Sequence, residues 1–107
     1  MGYKSKRSKE CDIPMSVKII VNNRDGGRCI FCGKQGFPNA HYIARSQGGR
    51  GIEENIVTAC TECHHKMDNT PLRRMYLKMA EEYLRSQYPE WDEDKLVYSK
   101  WGWAAFS

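Results

Sequence analysis

Apolar residues recur with a helical period in the last third of the chain. Between Leu72 and Tyr88 they are three or four residues apart, which places them on one face of an α-helix. We expect that face to pack into the core, and it consists of Leu72, Met75, Tyr76, Met79, Tyr83 and Leu84. Pro89 is expected to end the helix because proline lacks the backbone N–H that a helix needs.

Two flanking helices are also predicted. The first runs from Asp12, as its N-cap, to Gly26. Its apolar side consists of Val17, Ile19, Ile20 and Val21. The last is a short helix over residues 92–98, and Trp101 and Trp103 follow it.

The middle of the chain has a different pattern. Residues 38–44 and 55–59 have the composition of short strands, and the glycine-rich, basic residues 45–51 between them predict a loop. A short helix is expected from Thr61 until Pro71 interrupts it. The chain is therefore predicted to be a small α+β protein.

The chain is organised as one domain with an N-terminal arm. Residues 1–11 are polar and basic without hydrophobic periodicity, which predicts a disordered arm. Residues 12–107 are expected to form the domain, with a core motif over 29–69 and a helical extension over 71–107. No apolar run approaches the roughly 20 residues of a membrane span, and the start has no pattern of a secretory signal. We therefore expect a cytoplasmic location and no membrane partner.

Charge is distributed unevenly along the chain. Residues 1–80 carry 14 Lys and Arg against 7 Asp and Glu, whereas residues 81–107 carry 3 against 6. The positive part could attract a polyanion such as nucleic acid. Charge that only keeps the protein in solution is the alternative.

Four of the five cysteines form two C-x-x-C pairs, Cys29 with Cys32 and Cys60 with Cys63. Each pair offers two thiolates from one tight turn, so together they suit a tetrahedral structural zinc ion. The pairs are 27 residues apart, more than the roughly 15 to 20 of a simple zinc ribbon, so additional structure is expected between them. Unpaired cysteines at accidental spacing are the alternative. Cys11 lies outside both pairs and is expected to be a free thiol without a role.

All three histidines lie between the cysteine pairs or directly after them. If the residues between the pairs form a hairpin, His41 on its first strand can face the helix that begins at Thr61. His64 and Asp68 are four residues apart on that helix and share one face, where they can hold one divalent cation. His65 points about 100 degrees away and is expected to be a surface or phosphate-contacting residue.

This order of residues resembles the HNH endonuclease family with its ββα-metal finger. The matching residues are Cys29, Cys32, His41, Asn55, Cys60, Cys63 and His64. Small chains of this kind look similar to the free-standing HNH proteins of phages and prophages. The resemblance implies a ββα-metal finger stapled by a four-cysteine zinc site and flanked by an N-terminal helix and C-terminal helices.

The resemblance also implies that the protein hydrolyses DNA phosphodiester bonds, by nicking or by double-strand cleavage. His41 would be the general base that takes a proton from the attacking water, and His64 would hold a catalytic metal ion. Asn55 would hydrogen-bond the backbone across the hairpin and so fix the strand that carries His41. Products of the family carry 5′-phosphate and 3′-hydroxyl ends.

One position departs from the family. Many members have Asp or His immediately before the base histidine as a second metal ligand, whereas Ala40 cannot coordinate a metal. Asp68 is the predicted replacement, with Asn39 and Asn69 as weaker candidates. Such ligands favour Mg²⁺ or Mn²⁺, although one imidazole also permits Ni²⁺ or Zn²⁺.

Three cations near the motif are predicted DNA contacts: Arg45, Arg50 and Lys66. Arginine suits bidentate phosphate contacts, and the glycines of residues 45–51 would let the backbone approach a phosphate chain. Solubilising surface charge is the alternative for all three. No segment resembles a base-reading helix, so low sequence specificity is expected unless a protein partner supplies it.

Two other functions remain open. The first is a non-catalytic, zinc-stapled nucleic-acid-binding module, which Ala40 makes plausible. The second is a zinc-stabilised adaptor that binds other proteins through the tail containing Trp101 and Trp103.

Overall fold

An antiparallel hairpin followed by a helix forms the centre of the protein. The computed structural model describes residues 6–98, and its central unit consists of strand β1 (Phe37–His41), strand β2 (Ile56–Ala59) and helix α3 (Thr61–Asn69). Helix α1 (Lys6–Cys11) and helix α2 (Met15–Asp25) precede this unit, and helix α4 (Arg73–Gln87) follows it. Single 3-10 turns lie at Arg45–Gln47, Glu53–Asn55 and Glu93–Leu96. The predicted small α+β fold is confirmed.

The hairpin fixes which residues of β1 face the core. Ala40 pairs with Val57 and His41 pairs with Ile56, while the register is irregular between Phe37 and Ala40. The strand ends at His41 rather than at residue 44 as predicted, because Tyr42 and the residue after it turn to hydrogen-bond Asn55. Ala40 is fully buried, whereas His41 is half-buried.

The core lies between the hairpin and the helices. Helix α2 packs on both strands, and α4 packs on α3. The buried side chains include Ala40, Val57, Met67, Leu84, Trp91 and Leu96. A domain of this size buries only roughly two-thirds of its unfolded surface, so additional cross-links contribute strongly to its stability.

A buried ion pair joins α2 to the hairpin and to α4. Arg24 donates two hydrogen bonds to Asp25, and it also donates to the carbonyl of Ile56 at 2.7 Å and to the hydroxyl of Tyr88 at 3.0 Å. Burial opposes ionisation of Asp25, but the hydrogen bonds from Arg24 and Tyr83 lower its pKa below the ordinary value. Because both charges are fully hydrogen-bonded, the pair is compatible with its buried position.

Helix α2 forms where it was predicted but exposes more of its apolar side. Val21 is fully buried, whereas Ile19 and Ile20 are exposed, so that part of the core prediction was wrong. The reason is that α2 is attached to the hairpin largely through Val21 and the buried Arg24 pair. Pro14, not Asp12, is the N-cap residue.

Helix α4 also forms as predicted, and Leu84 and Ala80 are buried on its inner side. Leu72, Met75 and Met79 are exposed, which corrects the prediction that the whole apolar stripe packs into the core. The helix lies at the surface of the domain, so only the side that meets α3 and the hairpin is covered.

The N-terminal arm is not entirely disordered as predicted. Residues 6–11 form α1, and Cys11 at its end is buried. The backbone N–H of Gly51 donates to the carbonyl of Glu10 at 2.9 Å, and Arg7 donates to the carbonyl of Ser46 at 3.1 Å. These contacts with the glycine-rich loop order the arm. The predicted disorder of residues 1–5 lies outside the described residues.

The C-terminal extension also contacts the glycine-rich loop. The predicted last helix is a single 3-10 turn, after which Val97 forms a bridge with Gly49 and Tyr98 donates its N–H to Gly48. Trp101 and Trp103 lie outside the described residues. Across residues 6–98, the structure has no helix of the length and apolarity that a bilayer span requires.

Candidate metal centre and active site

Two cysteine pairs meet at the open end of the hairpin. The sulfur atoms of Cys29, Cys32, Cys60 and Cys63 all lie within 4.8 Å of one another. Three of these side chains are buried, and Cys32 is exposed. Within residues 6–98 this is the one group of three or more Cys, His, Asp or Glu residues close enough to share a metal ion.

Local backbone geometry explains how each pair is formed. Gly33 has a φ of 81°, a conformation that favours glycine, and its N–H donates to the carbonyl of Cys29 at 2.9 Å. Cys60 is the N-cap of α3, and its sulfur accepts a hydrogen bond from the N–H of Cys63 at 3.4 Å. The two turns meet where the Sγ atoms of Cys32 and Cys60 are 3.6 Å apart.

The donor set fits zinc. Tetrahedral zinc with Zn–S bonds of about 2.3 Å places its sulfur ligands about 3.8 Å apart, and the observed cluster has this compactness. Burial opposes ionisation of Cys29, but backbone hydrogen bonds from Cys60, Cys32 and Phe31 lower its pKa to about 7. Burial raises the pKa of Cys63. The four sulfur atoms could hold one zinc ion, which would keep the remaining thiols ionised.

A second site lies beside the cluster, in a cavity of about 890 Å³. We call it the histidine cleft, and its lining includes Asp12, His41, Arg45, His64, Asp68 and Arg73. The structure therefore brings His41 of β1 to the same cavity as His64 and Asp68 of α3, as the sequence predicted.

His41 is held by a residue from outside the motif. Its Nε2 atom is 2.9 Å from the backbone carbonyl oxygen of Cys11. A carbonyl can only accept, so Nε2 carries the proton and Nδ1 is left as a proton acceptor. Burial is the main cause of a lowered pKa of His41, and the positive charge of Arg45 lowers it further. His41 is therefore neutral at neutral pH, as a general base must be.

His64 and Asp68 form a pair on one face of α3. The Nε2 atom of His64 is 3.2 Å from a carboxylate oxygen of Asp68, one helical turn away. The other oxygen of Asp68 is 4.0 Å from Arg73. An imidazole nitrogen and a carboxylate oxygen at this spacing could contribute two ligands to one divalent cation. Ala40 is fully buried and makes no contribution to the cleft.

The alternative ligands lie in different places. Asn39 lines the histidine cleft together with His64 and Asp68. Asn69 does not line this cleft, and its side-chain nitrogen contacts Nδ1 of the exposed His65 at 3.4 Å.

Asn55 fixes the segment that follows His41. Its side chain is fully buried, accepts a hydrogen bond from the N–H of Ile43 at 2.8 Å and donates to the carbonyls of Ile43 and Arg50. Its own carbonyl accepts from the N–H of Tyr42 at 2.8 Å. The loop between the strands is thus closed by one amide side chain.

The glycines of that loop contact protein backbone, not open solvent. A Cβ atom on Gly49 would lie 1.7 Å from the carbonyl oxygen of Ile43, and one on Gly51 would lie 1.9 Å from that of Asp12. The sequence predicted that these glycines admit a phosphate chain. They instead let the loop pack against the segment that follows β1 and against the residues after α1.

The predicted cations are only partly at the cleft. Arg45 lines it and forms an ion pair with Asp12. Arg50 is elsewhere, 3.6 Å from a carboxylate oxygen of Glu10, and it donates to the carbonyl of Lys95. Lys66 does not line the cleft either. It forms an ion pair with Glu62 at 3.1 Å.

Among the residues of the site that sequence reasoning missed are Cys11, Asp12, Lys18 and Arg73. Arg73 lies close to Asp68 in the sequence, but it begins α4 beyond the end of α3, so helical spacing does not place it at the site. The other three come from α1, α2 and the link between them. Their approach to His41 depends on tertiary packing, so no local sequence pattern predicts them.

A hairpin and a helix, with four cysteines clustered where they meet and with one histidine on the strand and another on the helix, define a ββα-metal finger. The model of the HNH endonuclease family matches residues 29–76. The resemblance is therefore confirmed, and this segment, just under half of the chain, belongs to the HNH endonuclease family. Comparison with curated proteins gave no match. Comparison with solved structures gave none either.

Proposed function

We propose that this protein is a metal-dependent HNH endonuclease that hydrolyses phosphodiester bonds of DNA. The observation that carries the proposal is the meeting of His41, His64 and Asp68 in one open cleft, next to a four-cysteine cluster suited to zinc. The cluster would hold the structural zinc, and the cleft would hold the catalytic cation, with Mg²⁺ or Mn²⁺ favoured over Ni²⁺ or Zn²⁺.

His41 is the residue that activates water in this proposal. The Nε2–H of His41 donates a hydrogen bond to the carbonyl oxygen of Cys11. Nδ1 is therefore the atom that accepts the proton from the attacking water. The lowered pKa of His41 keeps that nitrogen unprotonated at neutral pH. Asn55 does not touch the substrate and acts by holding the loop that follows His41.

His64 and Asp68 would hold the cation in the cleft that His41 also lines. A divalent cation there would neutralise charge that develops on the phosphate oxygens and on the leaving oxygen. Arg45, Lys18 and Arg73 line the same cavity and would bind the neighbouring phosphates. These contacts are to the DNA backbone, so cleavage is expected to have low sequence specificity, with any strong preference supplied by a protein partner.

The biological setting follows from the proposed activity. An enzyme of this kind would act in the cytoplasm, which is that of the bacterial host if a phage encodes it. Cleavage would leave 5′-phosphate and 3′-hydroxyl ends, on one strand or on both.

A non-catalytic nucleic-acid-binding module is the second candidate. Buried Ala40 favours it, because the position that carries a metal ligand in many family members is here part of the core. Binding to DNA without cleavage in any divalent cation would support this second function over the first.

The deciding experiment is a plasmid-cleavage assay across Mg²⁺, Mn²⁺, Ni²⁺ and Zn²⁺ with the parent and His41→Ala. Loss of general-base catalysis is expected to slow cleavage by about 10² to 10⁴-fold. Met79→Ala, which alters an exposed side chain outside the cleft, is the control and should cut like the parent. Circular dichroism and zinc content verify that each variant is folded. A folded, zinc-loaded His41→Ala that cuts at the parent rate would refute the proposed mechanism.

A further inference from the structure

A second cavity adjoins the histidine cleft on the other side of His64 and Asp68. It has a volume of about 360 Å³, and its lining includes Phe37, Asn39, Thr61, His65 and Asn69. We call it the Phe37 cleft. Asn39, His64 and Asp68 line both cavities. A strand whose phosphate lies at His64 and Asp68 can therefore reach both cavities at once.

The two cavities offer different chemistry. The histidine cleft contains Lys18, Arg45 and Arg73 in its lining, which suit phosphates. Among the described residues, no lysine or arginine lines the Phe37 cleft. Its walls carry an aromatic ring together with hydroxyl, amide and imidazole groups. That combination suits a nucleobase, which has a flat apolar face and polar edges.

Phe37 is an exposed aromatic residue at the edge of this cavity. It is 53% exposed although it lies in β1, at the end of the strand next to the register irregularity. Single exposed apolar residues are common on protein surfaces and need no explanation by themselves. Phe37 differs from Met79, which is also exposed, because Phe37 lines a cavity that is continuous with the metal-binding pair.

We propose that Phe37 stacks on an unpaired base next to the scissile phosphate, so that the substrate is single-stranded or locally unpaired DNA. This inference rests on the proposed function and names its substrate class. A paired base in duplex DNA has both faces covered by its neighbours, so it cannot stack on a side chain unless it is extruded. A cavity of about 360 Å³ is near the lower limit for ligand sites, roughly 300 Å³, and fits one base but not a duplex.

The test measures binding without cleavage. Fluorescence anisotropy in EDTA, with zinc content verified, compares a labelled single strand, its duplex and a duplex with a mismatched bubble. The parent is expected to bind the single strand and the bubble more tightly than the duplex. Phe37→Ala should weaken binding of the unpaired DNA about 5- to 150-fold, the range for loss of one stacking contact. Its affinity for the duplex should change less than about twofold, and Phe37→Tyr should behave like the parent.

Two controls separate stacking from other causes. Met79→Ala removes another exposed apolar side chain, one outside the cleft, and should leave both affinities unchanged. The salt dependence of binding should be the same for Phe37→Ala and the parent, because no phosphate contact is lost. Equal losses for duplex and unpaired DNA, or an effect of Met79→Ala as large as that of Phe37→Ala, would overturn the proposal. A binding preference for unpaired DNA without any metal-dependent cleavage would refute the nuclease function and leave the stacking site supported.

Discussion

The four-cysteine cluster and the histidine cleft share helix α3 but are assembled differently. The cluster takes all four donors from two C-x-x-C turns, and three of the four side chains are buried. The cleft takes a histidine and an aspartate from α3, a second histidine from β1 and the hydrogen-bond partner of that histidine from α1. The first site is complete within residues 29–63, whereas the second depends on residues outside the family segment.

Because they are assembled differently, the two sites are expected to have different roles in the protein. With zinc bound, the cluster would join the two ends of the hairpin and so stabilise the fold that carries His41 and His64. The cleft is open, and its proposed metal ligands are partly exposed. We therefore expect changes in the cluster to affect folding and changes in the cleft to affect activity with the fold retained.

The largest effect is expected from Cys29→Ser or Cys60→Ser. Structural zinc contributes about 10 to 16 kcal/mol in small zinc-binding peptides, which is comparable to the whole stability of a domain. Loss of one thiolate should therefore unfold the protein and release its zinc. Circular dichroism and elemental analysis measure both results. Cys11→Ser, which alters a buried thiol outside the cluster, should keep about one zinc per chain. A folded, zinc-free Cys60→Ser would contradict the structural role of the cluster.

A smaller and different effect is expected from Asp68→Asn. The substitution preserves the shape of the side chain but removes the charge that faces His64 and Arg73. The metal concentration for half-maximal cleavage should rise about 10- to 100-fold, while zinc content and thermal stability stay close to those of the parent. Asn69→Ala, on the same helix, is the control and should leave the metal requirement unchanged. If Asp68→Asn has the parent's metal dependence, Asp68 is not a ligand.

The difference between the four-cysteine cluster and the histidine cleft also explains which features the sequence could predict. The cysteine pairs, the two strands and α3 follow from short-range patterns, because spacing of a few residues fixes both the zinc turns and the helix face that carries His64 and Asp68. The contact of Cys11 with His41 joins residues far apart in the chain, so no periodicity predicts it. For the same reason, Arg50 was expected at the cleft but pairs with Glu10.

The sequence also did not predict how much of each apolar helix face would be exposed. Periodicity correctly predicts that Met75 and Met79 share one face of α4, but it does not indicate how much of that face a neighbour covers. In a domain this small, α3 and the hairpin cover only part of the helix, and the core reaches Ala80 and Leu84.

The contact between the N-terminal segment and His41 can be tested through Gly51→Ala. The new Cβ would lie 1.9 Å from the carbonyl oxygen of Asp12, so the loop and the N-terminal segment must move apart, and we expect this movement to draw the Cys11 carbonyl away from His41. Cleavage should slow at least about tenfold, because the tautomer of a catalytic base depends on such a partner. The ¹⁵N chemical shifts of the imidazole measure the Nε2-protonated tautomer directly.

A second glycine provides the control for that experiment. Gly26→Ala also strains the backbone, since Gly26 has a φ of 67°, but its Cβ would have no atom within 4 Å. It should lower stability without changing the tautomer of His41. If Gly51→Ala retains the parent's imidazole shifts and cleavage rate, Cys11 does not position the base.

The smallest expected effect is on the acid side of the pH–rate profile. Burial, together with the charges of Arg45 and His64, lowers the pKa of His41 below 6.5. The base works only when neutral, so cleavage should fall as the pH is lowered through the pKa of folded His41, which lies below 6.5. Between that pKa and 6.5 the unfolded chain binds more protons at His41, so this residue also reduces stability as the pH falls. Circular dichroism at each pH separates the two effects.

Arg45→Gln sharpens the pH prediction. Removal of the arginine charge should move the acid midpoint of kcat upward, toward 6.5, whereas His65→Gln should leave it in place because His65 is exposed and lies outside the histidine cleft. The direction of the shift is diagnostic, since loss of a phosphate contact alone would raise KM without moving the midpoint of kcat. An acid midpoint above 6.5 in the folded parent would show that the group limiting the rate is not His41 in the environment described for it.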